Sequence, residues 1–260
     1  MTTQTTITNK QKEILKYLYH FRFLNRIQIQ ALLNHKDYHL INYWLKDLTE
    51  KQYTQRIYSN TYRENTIPAI YYIGVNGIKF IKEATGCPRK IIQRLSQEKD
   101  RSSHFIQTCQ QIADLYLNTR NQGNDKISYK AIGNNAFSIP DSSYNSLSDS
   151  TINLVIEKTE ESMKKYYTLE FFDSSLPLHS VKKRIKNYLD LYFSNSWEEN
   201  VSGIFPTILL ATEELSEMIS VKKISRQLLK EYEDLEGFEM RFAVLKDVCE
   251  RGIMSDIWEK

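Results

Sequence analysis

Tyr38, His39, Asn42, Tyr43 and Lys46 fall within nine residues of the stretch "DYHLINYWLKDL", and on a helix they turn away from Ile41, Trp44, Leu45 and Leu48. An asparagine can hydrogen-bond both polar atoms of an adenine edge, and tyrosine, histidine and lysine can hold phosphate oxygens. A helix that enters the major groove needs such side chains on its outward face, above all in its first turns. Arg56 and Arg63 follow on a separate stretch, placed for phosphate or minor-groove contact. Singly, each of these residues is as much at home on a solvated face; as a cluster they point to double-stranded DNA. His35 and His39, four apart, have the spacing to share a metal ion, a weaker reading than DNA contact.

A recognition helix needs a frame. Thr8 followed by Gln11 has the pattern of a capping box, and Ile14, Leu15, Leu18 and Tyr19 then recur at helical spacing, predicting a helix from about Asn9 to Tyr19. The next stretch, "FRFLNRIQIQALLN", alternates like a strand but also carries a second capping pattern, Asn25 with Gln28, ahead of Ile29, Leu32 and Leu33 on one face. It reads as a loop and then a helix, with Ile27 partly exposed or packed on a neighbour. Asp37 is placed to cap the third helix. "QYTQRIYS" and "AIYYIG", rich in Tyr, Ile and Thr, flank a polar tip and predict a hairpin. "NGIKFIKEATG" closes the unit at Gly86.

Three helices, a hairpin and a helix are the order of a winged helix-turn-helix domain, here residues 1–86. "ITNKQKEILKYLYHFRFLNRIQIQALLN", "LKDLTEKQYTQRI" and "PAIYYIGVNGIKFI" also resemble the N-terminal half of the plasmid replication-relaxation family, over nearly all of residues 7–85. The resemblance implies a winged helix and a DNA-binding role on a plasmid, phage or other mobile element, in its replication, its DNA relaxation and transfer, or their control. Gln52 stands where such domains place a glycine before the first wing strand, and His104 falls where the family has a histidine. For His104, a helix cap or an interface is an equal alternative.

After a polar, basic stretch read as a linker over residues 87–101, residues 102–260 alternate helices and strands, an α/β pattern within a chain that is α+β as a whole. "SSHFIQTCQQIADLYLNTR" is a long amphipathic helix; "KISYKAI", "INLVIEK" and "YYTLEFF" are strands; "LPLHSVKKRIKNYLDLYF" is a helix, "IFPTILLAT" a buried strand, "ISVKKISRQLLKEYED" a helix and "FEMRFAVLK" a last strand. Together with "IPDSS" and "YYTLEFFD", this order resembles the restriction-endonuclease-like fold. The resemblance implies a magnesium site in which Asp141 and Glu170 hold the ion and a lysine steadies the attacking water. Phe172 occupies the lysine position, leaving Lys182 or Lys183 of the next helix as substitutes. Asp141 in a Pro-Asp turn, and Glu170 near a strand end, are equally open to structural roles. The expectation is a nuclease-like scaffold without a cofactor; the alternatives are a magnesium-dependent nuclease or nickase, and a transcriptional repressor.

The overall charge of +3 conceals an asymmetry: residues 1–101 carry 17 Lys and Arg against 8 Asp and Glu, or +9, and the remainder 18 against 24, or −6. The basic part is the one expected to meet a polyanion. Three widely spaced cysteines, none in a Cys-x-x-Cys pair, argue against a disulfide framework and a zinc ribbon. There is neither a Gly-rich phosphate loop nor the paired-histidine cluster of tyrosine relaxases. With no apolar run near the ~20 residues of a membrane helix, and Thr and Gln after Met1, the expected location is cytoplasmic. Expected partners are double-stranded DNA, replication or transfer proteins, and a second copy, the homodimer using apolar surface at Ile27 and the long helix.

Overall fold

The computed structural model describes residues 6–58, 68–133, 137, 142–148, 150–201 and 203–260. The chain divides into two compact units, one built from residues up to Leu117 and the other from Asn118 onward, apart from 138–141. It is α+β: the first unit holds a three-stranded sheet, the second a mixed five-stranded sheet.

In the first unit, α1 (Asn9–Phe21) and α2 (Arg26–Leu32) both start at capping boxes, Thr8 with Gln11 and Asn25 with Gln28. Both boxes use glutamine where glutamate is equally common, and the reason lies at the far end of the amide. Gln11 accepts the Thr8 N–H through Oε1 and donates through Nε2 to Asp47, 2.6 Å away. Gln28 accepts the Asn25 N–H and donates to Asp114 at 2.8 Å and to the Gln110 carbonyl at 2.9 Å. A carboxylate only accepts, so it would do the first job and fail the second. The caps thereby also tie α1 to α3 (Tyr38–Glu50) and α2 to α6 (Ser103–Asn121).

The stretch at 21–34 is thus a helix from Arg26, but Leu24–Asn25 before it, expected as loop, form a two-residue strand, β1. With β2 (Thr54–Ile57) and β3 (Ile70–Ile73) it makes a sheet ordered β1-β3-β2, antiparallel throughout. Ile27 is exposed. Residues 59–67, with Arg63 among them, lie outside the described residues. Gln52, ahead of β2, has φ 59°, the left-handed region that favours glycine. The turn it makes is closely covered: the Gly74 N–H donates to the Tyr53 carbonyl at 2.8 Å, and a Cβ at Gly77, in α4 (Val75–Thr85), would meet that same oxygen at 2.2 Å.

Residues 87–101, expected as a linker, fold instead as part of this unit. They form α5 (Arg89–Ser96), which buries Ile91 and Leu95 one turn apart, and a 3-10 turn at Glu98–Asp100. Glu98 is 1% exposed, with Arg22 Nε and Nη2 on one of its oxygens at 2.8 and 2.7 Å. A basic composition hid two apolar anchors and a buried ion pair. In α6, Ile106 and Cys109 pack with Phe23 and Tyr72, and Ala113 and Leu117 are buried as well. The apolar stripe expected to serve a dimer is therefore covered.

The second unit orders its strands β4-β5-β6-β7-β8: β4 (Ile127–Gly133), β5 (Leu154–Glu160), β6 (Met163–Phe172), β7 (Thr207–Thr212) and β8 (Met240–Val244). The first three are antiparallel, the last three parallel. Parallel neighbours need crossovers: α7 (Leu178–Phe193) and the short α8 (Ser196–Val201) lie between β6 and β7, and α9 (Leu215–Leu229) between β7 and β8. The unforeseen α10 (Leu245–Arg251) follows. The core gathers Val155, Phe172, Ile185, Trp197, Leu210 and Phe242. No helix among the described residues is long and apolar enough to cross a membrane.

Candidate functional site

The outward face of α3 is the first unit's most distinctive surface. Asp37 caps the helix, its carboxylate accepting from the His39 N–H at 2.8 Å, and Ile41, Leu45 and Leu48 are fully buried. Because those three fix the helix's rotation, Tyr38, His39, Asn42, Tyr43 and Lys46 are all exposed. Tyr43 is 65% exposed and Tyr38 48%. Lys46 is only loosely held, 3.9 Å from Glu50. His35, by contrast, packs edge-on against Trp44, and its Nδ1 accepts the Asp37 N–H. It shapes the turn into α3, and no group of three or more His, Cys, Asp or Glu able to hold a metal occurs among the described residues. His104 is exposed in the first turn of α6.

Beside the expected Arg56 and Tyr38 stand two residues that sequence reasoning missed, Tyr71 on the sheet and Arg26 on α2. Arg56 is exposed on β2, 5.8 Å over the Tyr58 ring, and stands opposite Tyr71 on β3. Burial pushes the Tyr71 hydroxyl up, and Arg56, which hydrogen-bonds it, and Arg26 act the other way. Arg26 also lies 5.7 Å over the Tyr38 ring, which rests 3.9 Å from His39. Arg26, Arg56, Tyr38 and Tyr71 thus link α2, α3 and the sheet into one basic, aromatic surface continuous with the α3 face. Arg26 had one sequence signal, its place directly after the Asn25 cap, in the first turn of α2.

In the second unit, Glu170 lies on β6 with no exposed surface. Its Oε1 accepts from Arg184 at 3.0 Å and its Oε2 from the Tyr188 hydroxyl at 2.8 Å. Burial pushes its carboxyl up, against hydrogen bonds from Thr151, Tyr188 and the guanidinium; burial and Glu170 raise Tyr188 in turn. The trio borders a cavity of about 440 Å³ that Leu147, Thr151 and Asn187 also line. Lys182 and Lys183 are exposed: Val181, Ile185 and Leu189 turn inward, which sets Arg184 and Tyr188, one turn apart, toward the carboxylate. The cation at Glu170 is Arg184, not Lys183. Phe172 is buried, with the Arg184 guanidinium 5.5 Å over its ring. Asp141 lies outside the described residues. Of the two carboxylates expected to hold magnesium, only Glu170 is among the described residues, and each of its oxygens accepts a hydrogen bond, one from Arg184 and one from Tyr188. What they make is a buried, neutralised charge pair beside a cavity.

Compared with known protein families and with curated proteins, the chain matches none.

Proposed function

We propose that the protein binds double-stranded DNA sequence-specifically, α3 entering the major groove and the β2–β3 hairpin lying along the backbone as a wing. The observation that carries this reading is the outward face of α3, where aromatic, amide and cationic side chains stand exposed and continue onto Arg26 and Arg56. The order α1, β1, α2, α3, β2, β3 and the sheet order β1-β3-β2 support a winged helix. The resemblance of residues 7–85 to the replication-relaxation family supports a role on a mobile element, in replication, transfer or their control. The mixed sheet with crossover helices supports a nuclease-like scaffold for the second unit, in which Glu170, tied to Arg184 and Tyr188, serves structure.

Anisotropy of a labelled duplex, titrated with the full chain at several salt concentrations, tests the reading. Affinity is expected to fall steeply with salt as counterions are released, and Arg26→Ala or Arg56→Ala to flatten the log–log slope by about one unit each on any duplex. Unchanged affinity and slope in the double variant would remove this surface from DNA binding.

A further inference from the structure

We infer that the base pair at the centre of the α3 footprint is A·T, read from the major groove with Asn42 on the adenine and the Tyr43 ring against the thymine methyl. The inference rests on the DNA reading proposed above and deepens it by naming the class of sequence that this face accepts. In the major groove guanine offers two acceptors, which arginine or lysine meets, and cytosine a donor, which a carboxylate meets. Adenine offers an acceptor beside a donor, which asparagine or glutamine meets, and thymine a methyl group, which apolar surface covers. Each kind of side chain can be sought on the exposed face of α3.

Partners for a G·C pair are few there, and most are engaged elsewhere. α3 carries no arginine. Arg26 and Arg56 lie on α2 and β2, where the first donates to the Gln30 side chain at 3.1 Å and the second hydrogen-bonds Tyr71. Of the carboxylates, Asp37 caps the helix, and Asp47 holds Gln11 at 2.6 Å and Lys51 at 2.9 Å. Glu50, the last residue of α3, lies 3.9 Å from Lys46, the helix's one lysine. His39 can meet the N7 acceptor, but adenine and guanine share that acceptor, so it does not tell them apart. Asn42 and Tyr43 are adjacent in the second turn and exposed, and neither side chain has a hydrogen bond, ion pair or ring contact among the described residues. Tyr38 is covered by Arg26 and His39, whereas the Tyr43 ring is open to a ligand. Leu40, 42% exposed, adds apolar surface of the same preference. An unengaged amide beside an uncovered ring is the pairing for adenine and thymine, and nothing equally free on α3 matches cytosine.

Anisotropy of the full chain with four duplexes of one length and one alternating pattern, built from A·T, A·U, inosine·C or G·C pairs, tests it. Uracil lacks only the methyl of thymine. Inosine lacks the 2-amino group of guanine, so inosine·C presents the minor groove of A·T and the major groove of G·C. The A·T duplex is expected to bind about fourfold or more tighter than A·U, the effect of covering one methyl, and roughly tenfold tighter than inosine·C and G·C alike. Tyr43→Ala should bring A·T and A·U together while A·T stays ahead of inosine·C through Asn42, and Tyr43→Phe should behave as the wild type. Circular dichroism melting checks that both variants fold, and the four duplexes read the wild type without any variant. A wild type that binds inosine·C as well as A·T, prefers G·C, or does not distinguish A·T from A·U would overturn the inference and leave the DNA reading standing. No salt-dependent binding to any of the four would overturn both.

Discussion

Arg184 and His20 show how much of this molecule depends on single polar groups held away from water. Arg184 is the only cation hydrogen-bonded to Glu170 among the described residues, and it spans to the Phe171 carbonyl as well. Removing it leaves a buried carboxylate held only by neutral Thr151 and Tyr188, so Arg184→Ala is expected to cost about 3 to 5 kcal/mol in urea denaturation, and Glu170→Gln much less. A loss under 1 kcal/mol for Arg184→Ala would contradict the charge-pair account. His20 works through pH. Burial, with Lys16 nearby, lowers its pKa from 6.5 to about 4, so between those values the unfolded chain takes up a proton that the folded chain refuses. The stability due to neutral His20 is therefore present above the unfolded value and is lost as pH falls. The expected loss between pH 7 and pH 5 is about 2 kcal/mol, and His20→Gln should flatten that part of the profile. An unchanged profile in the variant would assign the acid sensitivity elsewhere.

Between elements, the two capping glutamines set geometry as well as helix ends. Gln28→Glu keeps the cap but sets a carboxylate against Asp114, which burial already pushes up. About 2 to 4 kcal/mol of destabilisation is expected, against a few tenths for an exposed cap of the same type; equal melting of variant and wild type would show that the α2–α6 tie carries no weight. These caps were legible in the sequence because a capping box is local, and so were α3's two faces, because Ile41, Leu45 and Leu48 fix its phase. Long-range elements were not. β1 exists only through pairing with β3, and buried Glu98 is met by Arg22, 76 residues away, as well as by its neighbour Arg101. Residues 87–101 read as linker because charge outweighed the pair Ile91 and Leu95. On α7 the signal was present but unused: the phase of Val181, Ile185 and Leu189 turns Lys182 and Lys183 outward and Arg184 toward β6. Arg56 was identified singly, but its grouping with Tyr71, Tyr38 and Arg26 follows from sheet register, which periodicity does not report.

Over the whole molecule, charge and surface follow the division into two units. Residues 1–117 carry 17 Lys and Arg against 9 Asp and Glu, or +8, and contain the exposed face of α3, whereas residues 118–260 carry 18 against 23, or −5. On the proposed DNA reading, phosphate attraction supplies affinity and leaves specificity to α3. The most direct test of the central claim is selection of bound sequences from a randomised duplex pool by the full chain, followed by affinities of wild type and Asn42→Ala for the enriched duplex and for a scrambled one. The account predicts that one motif is enriched, and that Asn42→Ala loses about 1 to 3 kcal/mol on it while binding the scrambled duplex like the wild type. No enriched motif, or an equal loss on both duplexes, would contradict it.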